Sequence, residues 1–199
     1  MSTQFRHYAK ELLNIALPII MGNLGFILIG AGDVLIAGHH STDTLAAISI
    51  ATAITNCIQT FGIGLISSLL SNFRGEKKSA KKYFYPTLRF AMLLSVIVMF
   101  AVLAFIPVID YLKFDPKLVP MIKQYMFVTA FATFGAYLHA ALKEFLQAFE
   151  VVVFPNLVTA IAVFLNIAVN VLLVFGWGII PSLGALGLAI ASFVVRYFM

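Results

Sequence analysis

Long stretches without a charged residue alternate with short charged segments along the chain. Residues 12–32, 44–73, 90–109, 124–142 and 151–195 contain no Asp, Glu, Lys or Arg. A charge at the centre of a bilayer is costly, and about 20 apolar residues cross the hydrocarbon core as a helix. These stretches therefore predict membrane-spanning helices.

The last stretch is too long for one helix. It is interrupted by Gly176, Trp177, Gly178 and Pro181, and glycine and proline mark turns. The pattern thus predicts an all-α polytopic membrane protein, a bundle of six transmembrane helices in a single unit, residues 1–199. The predicted spans are approximately 12–37, 44–72, 89–110, 122–143, 154–175 and 183–199.

The sixth span is short. At about 1.5 Å per residue, 183–199 covers roughly 25 Å, less than the ~30 Å of a hydrocarbon core. No polar tail follows Tyr197, Phe198 and Met199, and a terminal carboxylate at that depth would be costly. We expect the chain to be cut within or just after this helix.

Composition and charge agree with a membrane protein. Hydrophobic residues make up 62% and charged residues 11%, against about 45–50% and about 25% in soluble domains. The net charge of +5 does not predict nucleic-acid binding, because the basic residues lie between the apolar stretches. Of 13 basic residues, all but Lys113, Lys117 and Lys123 fall on one side. The positive-inside rule therefore predicts a cytoplasmic amino terminus, and we expect the plasma (inner) membrane.

Asp33 is an acidic residue that apolar sequence brackets closely. One interpretation is an interfacial aspartate that starts a loop. The other is a protonatable or cation-binding carboxylate, since acids inside the membrane mark ion or substrate pathways. Asn166 and Asn170 lie one turn apart on the fifth helix, with Thr159 on the same face and Asn170 at the depth of Asp33. They either join helices by hydrogen bonds or line a polar cavity.

A polar stripe also runs along the second helix. Its members follow the i, i+3, i+4, i+7 spacing of one face: Thr52, Thr55, Asn56 and Gln59. Such a face points at other helices or at water rather than lipid, so it either lines a cavity or packs. We find no phosphate loop, no His-Glu-x-x-His helix and no Ser/His/Asp set, and Cys57 is the single cysteine. The sequence predicts neither an enzyme nor a metal site.

Several segments, in this order and spacing, resemble the multidrug and toxic compound extrusion (MATE) family. They are LPI at 17–19, DV at 33–34, Gly38, LAA at 45–47, FRGEK at 73–77, Asn166, Asn170, FG at 175–176, IP at 180–181 and LGALG at 183–187. The resemblance covers nearly the whole chain, in register with six helices.

This resemblance implies an antiporter that exports bulky, often cationic amphiphiles in exchange for protons or sodium, with no other cofactor. Family members have two six-helix lobes around a central cavity, and this chain resembles the first lobe. Asp33 matches the first-lobe aspartate of cation coupling, together with Asn166 and Asn170; at Asn170 some members carry an aspartate. The implied partners are a small-molecule substrate, membrane lipid, and the missing second lobe or a second copy of the chain.

Two alternatives stay open. A lipid or oligosaccharide flippase of related fold would need basic residues in its cavity to hold pyrophosphate, whereas the Lys and Arg residues of this chain lie at the ends of the predicted spans. A single lobe could instead be a non-transporting membrane subunit or a relic.

Overall fold

The computed structural model describes residues 3–71, 80–178 and 181–199 as a helical bundle. Its helices are α1 Thr3–His40, α2 Thr42–Ser71, α3 Ala80–Phe105, α4 Val119–Ala148, α5 Val153–Phe175 and α6 Ala185–Phe198, and a 3-10 turn, Ile106–Leu112, continues α3. The predicted all-α bundle is confirmed. The loop motif at 73–77 and Ile180 lie outside the described residues.

Most helices are longer than the predicted spans. α1 begins at Thr3 and α3 at Ala80, before the residues at which the charge-free stretches start. Charged residues mark where the hydrocarbon core ends, but a helix continues into the interface because its backbone hydrogen bonds are still made there. Within the described ranges, five helices are long and apolar enough to cross a membrane; α6, with 14 residues, is shorter.

Turn chemistry separates the helices at one end of the bundle, where α1 is followed by α2 and α5 by α6. The hydroxyl of Ser41 accepts a hydrogen bond of 3.0 Å from the Thr44 N–H and so caps the start of α2. Between α5 and α6, Gly176, Gly178 and Gly184 have φ values of 77°, 59° and 51°. This left-handed backbone is open to glycine and costly for other residues, so the chain turns here.

The two ends of the bundle are packed differently. We call the end at which α1, α3 and α5 begin the proximal end, and the opposite end the distal end. Buried apolar residues from all six helices fill the distal end: Ala37, Ile48, Val102, Met126, Val174 and Leu188. The proximal apolar cluster, around Ile66, Ala91 and Phe145, comes from α2, α3 and α4 and the turn after α4. Space therefore remains at the proximal end beside α1, α5 and α6.

The outside of the bundle is apolar. Large side chains such as Ile27, Leu93, Ile97 and Phe164 are mostly exposed around it. A soluble protein rarely exposes so continuous an apolar surface, whereas lipid tails are a suitable solvent for it. The chain is a multi-pass membrane protein.

Candidate functional site

A cavity of about 780 Å³ lies within the bundle, between α1, α2, α4, α5 and α6. It reaches from the level of Asp33, beneath the distal apolar cluster, to the proximal end. Its walls combine apolar side chains such as Ile29, Ile63 and Val195 with polar side chains distributed along its length. Such a volume, with a largely apolar surface and several polar groups, is typical of a small-molecule site.

Asp33 lies at the distal end of this cavity and is 9% exposed. Asn170 donates a hydrogen bond of 2.6 Å from Nδ2 to Asp33 Oδ1, and the Ser192 hydroxyl donates one of 3.4 Å to Asp33 Oδ2. The same Nδ2 of Asn170 donates to Asn166 Oδ1 at 3.0 Å. The structure thus brings Asp33, Asn166 and Asn170 together, and Asp33 does not start a loop.

Two amide atoms of this cluster have no hydrogen-bond partner within the described part of the chain: Asn166 Nδ2 and Asn170 Oδ1, both buried. Asp33 likewise forms no ion pair with a described Lys, Arg or His residue. A buried carboxylate beside a free amide oxygen can bind a proton or a hard cation, because carboxylate and carbonyl oxygens suit such ions.

The polar stripe of α2 divides between the cavity and the protein interior. Thr52, Asn56 and Gln59 line the cavity. Thr55 is buried outside the cavity lining, and its hydroxyl donates to the Ala51 carbonyl. The cavity face of α2 is centred between Thr52 and Asn56, and at 100° per residue Thr55 points about 80° away from that centre. The predicted cavity position of Thr55 is therefore corrected.

Thr159 shares the face of Asn166 on α5 but does not line the cavity. It is fully buried, its hydroxyl donates to the Pro155 carbonyl, and its methyl carbon lies against Gly25 of α1. Glycine at position 25 lets the two helices approach closely there. Helix α1 thus covers the Thr159 face, and the predicted cavity position of Thr159 is corrected.

Other residues of the distal end escaped the sequence analysis. The Tyr125 hydroxyl lies 3.5 Å from the Thr52 hydroxyl, and Ser192 contacts Asp33. Both line the cavity. Isolated tyrosine and serine residues in apolar helices give no periodic signal, which is why the pattern did not indicate them.

The cavity wall also carries charged residues that the sequence analysis placed at span ends. Lys143 and Arg196 both line the cavity, and Lys143 is 6% exposed. Because α4 continues to Ala148, Lys143 lies more than a turn inside the helix. The interpretation that no Lys or Arg reaches the cavity is wrong. Gln147, four residues after Lys143, shares its face of α4, a spacing that could have revealed this cluster.

Known structures share this fold. An outward-facing multidrug resistance MATE family transporter of the MOP superfamily matches with a TM-score of 0.73 at 16% identity, over 93% of this chain and 42% of that one. A MOP superfamily transporter from Pyrococcus furiosus, described as having a binding pocket of reverse polarity, matches with a TM-score of 0.70 at 17% identity, over 93% and 41%. At these identities the likeness shows the fold.

Sequence comparison gives relatives of greater length. The multidrug resistance protein NorM of Photobacterium profundum is 26% identical over 98% of this chain and 44% of the relative. NorM of Vibrio cholerae is 25% identical over 98% and 44%. The chain spans less than half the length of these curated relatives. The MatE family model matches residues 18–172, which is most of the sequence. The chain therefore belongs to the MatE family.

Proposed function

We propose that this chain is the first lobe of a secondary antiporter that exports bulky, often cationic amphiphiles in exchange for protons or sodium ions. The observation that carries the proposal is the buried Asp33 carboxylate, hydrogen-bonded by Asn170, at the distal end of a cavity of about 780 Å³. The relatives named as multidrug resistance proteins support the same function.

The cation and the exported compound act on one cavity. A ligand shifts a conformational equilibrium only through different affinities for the two states. The cation binds at Asp33 and favours one state, whereas the amphiphile occupies the remaining volume and favours the other. Coupling is reciprocal, so each ligand lowers the affinity of the protein for the other by the same factor.

The lobe works with a second lobe or with a second copy of the chain. The relatives are longer than this chain, and the match covers 44% of the length of one of them, which leaves enough sequence for a second lobe. Polar residues such as Asn56 and Gln59 line a cavity wall in a bundle with an apolar outside, and a partner lobe would shield that wall from lipid. The assembly resides in the plasma membrane with the amino terminus in the cytoplasm, where the positive-inside rule predicts it.

The test is efflux of a cationic dye, ethidium, from cells that express the protein, measured with and without an imposed proton or sodium gradient. Asp33→Asn keeps the shape of the side chain and removes its charge. We expect it to lower gradient-dependent efflux at least tenfold with the protein still folded, as judged by gel filtration. Asp110→Asn is the matched control, because Asp110 is exposed and pairs with Lys123 at 2.6 Å on the distal surface. Gradient-dependent efflux that survives in Asp33→Asn would contradict the proposal.

A lipid flippase of related fold is the second candidate. The observation that favours it is the pair of cationic side chains, Lys143 and Arg196, in the cavity wall. A flippase would move a fluorescent phospholipid between leaflets, independently of Asp33, whereas the antiporter moves ethidium against its gradient.

A further inference from the structure

Lys143 is a buried cation at the proximal end of the cavity. Its ammonium donates to Asn23 Oδ1 at 3.3 Å and lies over the Phe26 ring, 4.7 Å from the ring centre. In the ranges that the structure describes, no carboxylate forms an ion pair with it. An ammonium has three donors, and one long hydrogen bond with a ring contact leaves two of them unused.

A second unused donor lies one turn away. Gln147 lines the same cavity, and its buried Nε2 has no hydrogen-bond partner among the described residues. Residues four apart on a helix lie one above the other on the same face. Lys143 and Gln147 therefore present a charged and a neutral donor to one part of the cavity. Buried polar groups are normally paired, so two such donors together indicate an absent acceptor.

Apart from Asp33, the other charged residues of the cavity wall are hydrogen-bonded to residues of α2 and not to Lys143. The Glu144 carboxylate is held by the Ser67 hydroxyl, which donates to it at 2.6 Å from α2. Arg196 donates to Gln59 Oε1 at 3.5 Å. Arg196 thus lies nearer the middle of the cavity, within electrostatic range of Asp33, and Lys143 is the cation of the proximal end. Asp33 is about 15 Å further along α1 than Asn23.

We propose that Lys143 and Gln147 form a subsite for an anionic group, a carboxylate, sulfonate or phosphate, carried by an amphiphile in the cavity. The amphiphile's apolar body lies against Phe26, Ile29 and Ile63, which line the cavity. This inference rests on the proposed function, because it names a chemical class of exported compound. The same anionic group could belong to a soluble compound or to a lipid headgroup.

The test is binding of dansylglycine, a small aromatic carboxylate, against its neutral N-methylamide. The purified protein is placed in nanodiscs of phosphatidylcholine, and dansyl fluorescence reports binding. We expect the wild-type protein to prefer the carboxylate about tenfold or more, the size of a charged hydrogen bond. Lys143→Gln should bring the ratio of the affinities for the carboxylate and the amide close to one, and Lys143→Arg should keep most of the preference for the carboxylate. Lys123→Gln, a change in a half-buried lysine outside the cavity lining, is the control that keeps the wild-type ratio of the two affinities.

Gln147→Leu gives a second measurement that does not depend on the folding of a Lys143 variant. It removes the neutral donor, and the ratio should fall about threefold, the worth of a typical hydrogen bond. A carboxylate preference that is absent in the wild type, or unchanged in both Lys143→Gln and Gln147→Leu, overturns the proposal.

Phosphatidylglycerol in the nanodiscs separates the two sources of the anion. If it weakens dansylglycine binding to the wild type but not to Lys143→Gln, the subsite binds lipid headgroups; if it has no effect, the subsite serves soluble compounds. Either result upholds the subsite. The binding assay needs no transport, so the two proposals can fail separately. If the carboxylate preference is absent while ethidium efflux still depends on Asp33, only the subsite is rejected. If the carboxylate preference is intact while ethidium efflux does not depend on a cation gradient, only the antiporter is rejected.

Discussion

At the scale of single residues, the Asn170 amide defines the surroundings of the Asp33 carboxylate. One nitrogen, Asn170 Nδ2, donates to both Asp33 and Asn166, which leaves the Asn170 carbonyl oxygen without a partner in the described structure. The amide thus orients the carboxylate and offers an oxygen beside it. The oxygen would suit a sodium ion, whereas the N–H stabilises the charged carboxylate and so favours release of a proton.

Replacement of Asn170 by alanine should therefore act in opposite directions on the two candidate coupling ions. It removes the N–H that stabilises the charged Asp33 carboxylate, and a hydrogen bond to a charged group is worth about 1.5–3 kcal/mol, so we expect the proton concentration for half-maximal ethidium efflux to fall about tenfold. It also removes the amide oxygen beside the carboxylate, so a sodium-coupled protein should need a higher sodium concentration. Asn156→Ala is the control: Asn156 is buried on the same helix, but its amide donates to the Val152 carbonyl. An equal shift in both variants would show that general destabilisation of α5 is the cause.

Residue positions were predictable where helix geometry alone decides them. Counting residues along α1 and α5 placed Asp33 and Asn170 at one depth, and they are in contact. Thr159 could not be placed in this way, because its surroundings depend on how closely Gly25 lets α1 approach. Lys143 was misinterpreted because a lysine was taken as a marker of the span end, although its long side chain reaches the cavity.

At the scale of the helices, glycines hold α4, α5 and α6 close together. A Cβ atom on Gly135 of α4 would lie 2.7 Å from the Arg196 carbonyl oxygen of α6, and one on Gly187 of α6 would lie 2.7 Å from the Leu173 carbonyl oxygen of α5. Both contacts are with backbone, which cannot rotate aside. Small residues at such crossings are typical of membrane helix packing.

Gly135→Ala should separate α4 from α6 and destabilise the bundle by about 1–3 kcal/mol. Gly64→Ala is the matched control, because a Cβ on Gly64 of α2 would meet nothing within 4 Å. Thermal unfolding in detergent should show a lower midpoint for Gly135→Ala and a midpoint at or slightly above the wild type for Gly64→Ala. Equal midpoints for the two variants would contradict the close-packing account.

The number and order of the helices followed from the charge-free stretches, but their ends did not. The break between α5 and α6 was predictable because glycine and proline change the backbone itself. The starts of α1 and α3 were not, because helical hydrogen bonding continues beyond the apolar core. Packing across α4 and α6 depends on which glycines face each other, and one sequence does not specify that.

At the scale of the whole molecule, the bundle is closed at its distal end and hollow at its proximal end. The distal apolar cluster lies beyond Asp33, and the cavity extends from Asp33 towards the start of α1. If the amino terminus is cytoplasmic, the polar residues of the proximal end face the cytoplasmic side. A compound leaving the cell would then meet Lys143 before it reached the level of Asp33.

This orientation can be measured by cysteine labelling after Cys57→Ser removes the single native thiol. Lys117→Cys in the distal loop should react with a membrane-impermeant maleimide on intact cells. Val151→Cys in the proximal turn should react only after permeabilisation. Both positions are exposed, so a difference in labelling reports the side of the membrane. The reverse pattern would place the amino terminus outside.

The central claim is that the exported compound and a cation bound at Asp33 displace each other. The most direct measurement adds ethidium to the purified protein and records released protons with a pH indicator, or released radioactive sodium after loading. The antiporter account predicts about one ion released per ethidium bound by the wild type, and none from Asp33→Asn. Ethidium binding to the wild type without ion release would contradict it. Equal ion release from the wild type and from Asp33→Asn would also contradict it.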